Sequence, residues 1–357
     1  MNRSDIHSQF EIDSYFSEKI KVISLFAIII VLYEHSSILD VSYRNMAIPA
    51  ITYYCIAGFW GNCAVPIFYA ISGFLFYYGA THISIIIRKM KKRIRTLLIP
   101  FIIAALYYPS FFIIMELTPL KPFIDRPSFI DFITTQPLTE TFNMLFYGSS
   151  DGYPWAYHLW FMRDLITIIA ICPVLFYLRK WLKSLSIIIP ITLYLIFPHI
   201  RFLDVLIWFM LGSLILDKTP RAPKTVICII SILFITAVLY RIITSNHPTE
   251  IERLAEIALG ITAIWGAYDI IVPSTFTLSS HKCLCFACQF IFFIYFYHEP
   301  ILHIVVKGII LILEKNTIGY KIAILLPPII ITSVGVMIGM KFREHFPKVC
   351  HILVGGR

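Results

Sequence analysis

Two apolar runs of this chain each set a histidine beside an acid: Glu34-His35 in LYEHSSIL and His298-Glu299 in FFIYFYHEPIL. Ionisable groups at membrane depth are costly, so they face protein or a wet cavity and mark function by default. An imidazole there can take a proton from a hydroxyl as a general base, or attack a carbonyl as a nucleophile. The residue types leave both open. His35 is the first candidate for that chemistry, with Glu34 as the second catalytic candidate. Neighbours on a helix diverge by about 100°, so Glu34 points away from the face that His35 presents. A third stretch, YHLWFMRDLI, brings His158, Trp160, Arg163 and Asp164 to the mouth of another apolar run, and of these Trp160 and Arg163 are taken further. With His298 they are candidates for shaping a substrate site.

A different chemistry is offered by RKMKKRIR, with six basic groups in eight residues, 88–95. Lys92 and Arg95 stand at i, i+3 and can present charge on one helical face. With Arg93 between them they could hold the phosphates of an anionic ligand, since charge-assisted bonds to phosphate are strong. The cysteines carry less. His281, Cys283, Cys285 and Cys288 have metal-like spacing but enter an apolar run, so they are read as buried thiols and no metal site is expected.

The elements that must position these groups are membrane helices. The 357 residues are 58% hydrophobic and 14% charged, too apolar for a soluble domain. Apolar runs near 20–39, 58–79, 96–116, 158–178, 184–199, 202–217, 224–243, 254–272, 284–306 and 319–340 suit a hydrocarbon core of about 30 Å. The expected fold is all-α, a polytopic transmembrane helical bundle of about ten spans. A segment 1–19, one transmembrane domain 20–340 and a tail 341–357 are expected, with no removable leader ahead of them. Most of the thirty Lys and Arg residues collect on one side if the N-terminus is inside, so both termini are expected in the cytoplasm. The net charge of +9 is read as this orientation signal, not as a nucleic-acid surface.

Five stretches in order resemble the acyltransferase-3 family of bacterial inner-membrane proteins. KVISLFAIIIVLYEHS is similar to its first helix, with a basic residue and a histidine. VPIFYAISGFLFYYG is similar to its F-x-x-S-G-F segment, and KKRIRTLLIPF to its basic segment before a proline. HLWFMRDL and FFIYFYHEPI resemble its L-W-F and Y-x-x-H segments. Lys21 stands three residues further from His35 than the family spacing, and Ser24 holds the family's place. The basic pair is carried as Lys92 and Arg95, so one of the two lacks the bidentate fork of arginine. The resemblance implies an O-acyltransferase, most often O-acetylating. It would move an acyl group from cytosolic acyl-CoA (acetyl-CoA) to a hydroxyl of a cell-surface glycan, such as lipopolysaccharide, or of a lipid-linked saccharide. Its partners are then that acceptor and membrane lipids, without nucleic acid. The competing class is a transporter or flippase of a lipid-linked glycan, against which the lack of an internal repeat counts.

The expected topology is tested by reporter fusions. Fusions at Lys218 and Lys341 should report cytoplasm, and one near Asp131 the outside. An external signal at Lys341 would mean an odd number of spans, and the assignment of faces would collapse.

Overall fold

A computed structural model describes residues 14–37, 60–119, 127–148, 152–215, 223–244, 248–273, 275–313 and 317–355. Among them the chain is helical, with no strand. The long helices are α1 (Ser14–Ser37), α2 (Trp60–Tyr77) and α3 (Ile83–Glu116). Two short ones, α4 (Phe129–Thr135) and α5 (Leu138–Phe146), lead to α6 (Trp160–Leu182), α7 (Ile188–Ile196) and α8 (Arg201–Ile215). Then come α9 (Lys224–Thr244), α10 (Glu250–Ile271), α11 (Lys282–Gln289), α12 (Ile291–Leu313), α13 (Thr317–His345) and α14 (Pro347–Leu353).

A helix falls in each of the ten expected runs, but among the described residues six helical stretches are long and apolar enough to cross a membrane. One of these, Tyr157–Ile196, joins α6 and α7 into a single stretch. α7 and α8 are short, at nine and fifteen residues. Apolar side chains point outward along the bundle, among them Leu98, Ile99, Ile102 and Leu106 of α3 and Ile229, Ile232 and Leu239 of α9. Helices satisfy their own backbone polar groups, so such a band can face lipid without cost. The protein is a multi-pass helical membrane protein.

Two cores meet at α2. Tyr69, Phe76 and Tyr77 join a cluster with α3, α6 and α8, while Cys63, Ala64, Ile67, Ile71 and Phe74 join one with α1, α10 and α12. On α1 the buried Ile20, Ile23, Ala27, Ile28, Val31 and Leu32 follow the i, i+3, i+4 spacing of one helical face. Lys19 fixes its first turns: the ammonium donates to both oxygens of Asp269 on α10 at 2.8 Å, and Tyr15 donates to the same carboxylate at 2.5 Å.

α2 and α8 pack against each other without side chains between them at two points. A Cβ on Gly73 would overlap the carbonyl of Phe209, and one on Gly212 the carbonyl of Ala70. The small pair Ser72-Gly73 therefore serves close helix packing, as small residues do in membranes. At the end of α2, Lys89 reaches back from α3 and donates to the carbonyls of Leu75, Phe76 and Tyr78, at 3.3, 3.0 and 2.6 Å. These are carbonyls that a helix end leaves unpaired. One member of the basic cluster is thus a helix cap.

α12 is broken in its middle. Glu299 has non-helical backbone angles (φ −101°, ψ 135°) ahead of Pro300, as expected for a residue before proline. In a regular helix His298 and Glu299 would diverge; at the break both are fully buried toward the bundle interior.

Gly73→Ala and Gly212→Ala should each destabilise the folded protein in detergent by at least the roughly 1–3 kcal/mol typical of overpacking. Gly308→Ala, where an added Cβ meets nothing within 4 Å, should be neutral. Thermal unfolding followed by size-exclusion recovery measures all three, and equal melting temperatures would contradict the packing described.

Candidate functional site

The two His/acid stretches come together. A 3-10 turn, Tyr157–Leu159, delivers Tyr157 and His158 ahead of α6. Tyr157 donates its hydroxyl to Glu299 Oε1 at 2.6 Å and lies 2.8 Å from His35 Nδ1. Its ring stacks on the His35 imidazole at 5.2 Å between centroids. Glu299 Oε1 also lies 3.7 Å from Nδ1 of both His35 and His303. The His298 ring stands edge-on to His35 at 5.3 Å and 5.0 Å from that of His158.

Proton positions follow from the donors and acceptors. Ionised Glu299 can only accept, so the Tyr157 hydroxyl proton points to it. The Tyr157 oxygen must then accept from His35, which places a proton on Nδ1 and leaves the lone pair on Nε2. For His298 the same reasoning holds: Nδ1 faces the carbonyls of Tyr295 at 2.7 Å and Ile294 at 3.3 Å, so it donates. The lone pair of His298 Nε2 is buried without a hydrogen-bond partner, as is Glu299 Oε2. A hydroxyl approaching His35 thus meets an imidazole held in one tautomer, with a carboxylate behind it.

Of the other expected site residues, Glu34 packs its carboxylate against the backbone of Gly61 on α2, away from this cluster. Arg163 donates from Nε to Asp164 at 2.8 Å, and from its other end to the carbonyls of Gly152 (2.9 Å) and Tyr147. It pins the loop ahead of Tyr157. Trp160 lies under the Arg201 guanidinium, 4.7 Å from the ring centroid, and Arg201 holds the same Gly152 carbonyl at 2.8 Å. These two residues shape the turn that carries Tyr157. His298 alone of the three is in the cluster.

A second feature is a cavity of about 660 Å³. Its walls include Lys21, Ser24, Ser72, Arg93, Gln289 and Arg343, among apolar residues such as Phe68, Leu165 and Phe292. Lys21 and Ser24 line it together, so the extra turn before His35 leaves a basic group at its mouth. Of the basic cluster Arg93 faces the cavity, while Lys92 and Arg95 are exposed. Arg343 donates to Gln289 at 2.7 Å and covers the Phe290 ring. Residues past 340 contribute Pro347, Cys350, His351 and Val354 to the wall. From Ser24 to His35 is about 16 Å of helix. An aromatic series bridges the gap: Phe68 on the cavity wall, then Phe161 at 5.9 Å, Tyr295 at 5.8 Å and His158 at 5.9 Å.

Sequence reasoning missed Tyr157 and His303, placed His158 at the mouth of an apolar run without joining it to His35, and treated Glu299 only as the neighbour of His298. The i, i+4 spacing of Glu299 and His303 was the available signal. The His281–Cys288 set does not gather a metal-ligand group; among the described residues the gathered set is His35, His298 and Glu299.

A family model described as an acyltransferase domain matches residues 19–340 of the chain. Neither the curated proteins nor the solved structures contain a match to it.

Proposed function

We propose a donor, an acceptor and a route for this chain, which belongs to the acyltransferase-3 family and is a membrane acyltransferase. The donor is a cytosolic acyl-CoA, most simply acetyl-CoA. The acceptor is a hydroxyl of a cell-surface or lipid-linked glycan, and the setting is a bacterial inner membrane crossed about ten times with both termini inside.

The observation that carries this reading is the His35–Tyr157–Glu299 chain of hydrogen bonds. His35 Nε2 takes the acceptor's hydroxyl proton as its oxygen attacks the thioester carbonyl. The C–S bond breaks, and the departing thiolate recovers a proton, giving ester and free coenzyme. As His35 becomes an imidazolium, Glu299 stabilises it through Tyr157, the role a carboxylate plays behind a catalytic histidine. Distance sets the division of labour. The basic cavity with Lys21, Arg93 and Arg343 suits the coenzyme's phosphates, and a long unbranched donor arm would extend from it toward His35. His298 belongs to the acceptor side, where its free Nε2 can take a hydrogen bond from a sugar hydroxyl.

His35→Gln should lower glycan acylation by about 10²–10⁴-fold, the usual cost of losing a general base, with acyl-CoA binding retained. Tyr157→Phe should lose part of that rate while Glu34→Gln stays near the parent. Near-normal transfer by purified His35→Gln protein would leave the histidine structural.

Arg93→Ala should weaken acyl-CoA binding by about 10-fold or more, as expected for a lost charge-assisted bond of about 1.5–3 kcal/mol. The double variant Lys92→Ala/Arg95→Ala should bind nearly as the parent does, because both side chains point away from the cavity. Calorimetric titration of the detergent-purified proteins measures the difference; the reverse order would place the phosphates on the outer face of α3.

A further inference from the structure

Three residues of the histidine cluster keep an acceptor lone pair beyond the hydrogen bonds described, and His158, whose ring stands 5.0 Å from that of His298, adds an N–H that also has no partner among the described residues. His35 Nδ1 is engaged by Tyr157 and His298 Nδ1 by the Tyr295 carbonyl, so each ring presents Nε2. Glu299 Oε2 makes no hydrogen bond. One ligand atom from each of these residues lies within 4.8 Å of the other two. Acceptors gathered in a buried space repel one another unless something positive, or a hydroxyl proton, sits between them.

We propose that His35, His298 and Glu299 form a binding site for a zinc ion, and that zinc there inhibits acyl transfer by occupying the lone pair of His35. The chemistry of the set fits. Zinc takes imidazole nitrogen and carboxylate oxygen, commonly two histidines and one acid with a position left open. Ligating histidines almost always donate their other N–H to a carbonyl or a similar acceptor, which fixes the tautomer. Both rings meet that condition here, His298 through Tyr295 O and His35 through Tyr157 and the carboxylate behind it. Tetrahedral zinc with bonds of about 2.0–2.1 Å separates its ligands by about 3.4 Å, so closing on the ion needs side-chain shifts of about an ångström. Magnesium, which keeps its waters and prefers oxygen, does not suit two imidazoles. Binding follows from this geometry alone; inhibition rests on the reading of His35 as the base.

The test uses the full chain purified in detergent and stripped with a chelator. Titration with zinc, followed by desalting and elemental analysis, should give one zinc per chain, with magnesium giving none. X-ray absorption of the zinc-loaded parent should show nitrogen and oxygen neighbours at about 2.0–2.1 Å, including imidazole, and no sulfur. His298→Gln and Glu299→Gln should each weaken zinc binding by more than the roughly 10–100-fold typical of losing an outer-shell partner. Zinc at the concentration that fills the site should suppress transfer by the parent. No bound zinc, or a sulfur shell at about 2.3 Å pointing to the cysteines, would overturn the site. A filled site with undiminished transfer would keep the metal site and overturn both the inhibition and His35 as base.

Discussion

A carboxylate buried between membrane helices must be given hydrogen-bond donors, and Glu299 sets that requirement for this bundle. Its Oε1 takes the Tyr157 hydroxyl at 2.6 Å and has the Nδ1 atoms of His35 and His303 at 3.7 Å. Three elements bring groups to that oxygen: α1 with His35, the turn before α6 with Tyr157, and the second half of α12 with His303. Removing one partner of such a set leaves an uncompensated group in a low-dielectric interior, which is why the set acts as a unit. With Glu299 ionised, and so able only to accept, the proton positions and hence the chemical character of His35 follow.

The rest of the fold holds these elements in register. Gly73 and Gly212 let α2 and α8 approach to backbone contact, and Lys89 closes the end of α2. Lys19 and Asp269 anchor the start of α1, about one and a half turns before the cavity residue Ser24 and well before His35. Arg163 and Arg201 converge on the Gly152 carbonyl and so place the turn that bears Tyr157. Much of the charge that stands out in the sequence is therefore structural. Its work is to satisfy helix ends and loop carbonyls, leaving Arg93, Lys21 and Arg343 for the cavity.

The helical class was legible because long apolar runs have few other physical outcomes. His35 and His298 were legible because an imidazole in such a run needs a reason. Tyr157 was not: one tyrosine among twenty carries no signal until the 3-10 turn aims it at Glu299. Glu299 itself was obscured by the break at Pro300, since helical periodicity would have pointed it away from His298. In 88–95 the charges leave one apolar strip, Met90 and Ile94, which Arg93 flanks and Lys92 stands opposite; that signal was present, but it does not separate Arg93 from Lys91. Helix rotation against α6 and α12 decides that. The residues after 340 looked like a tail by composition, yet α14 packs Cys350 and Val354 on Phe290.

The central claim is that Glu299, acting through Tyr157, fixes the tautomer of His35. Nitrogen NMR of the purified protein with isotope-labelled histidine, assigned by comparison with His35→Gln, reads this directly. The account predicts that neutral His35 carries its proton on Nδ1 with an unprotonated Nε2, and that Tyr157→Phe relaxes it to a mixture of tautomers. A proton on Nε2 in the parent protein would contradict the account, because the nitrogen meant to receive the acceptor's proton would already hold one.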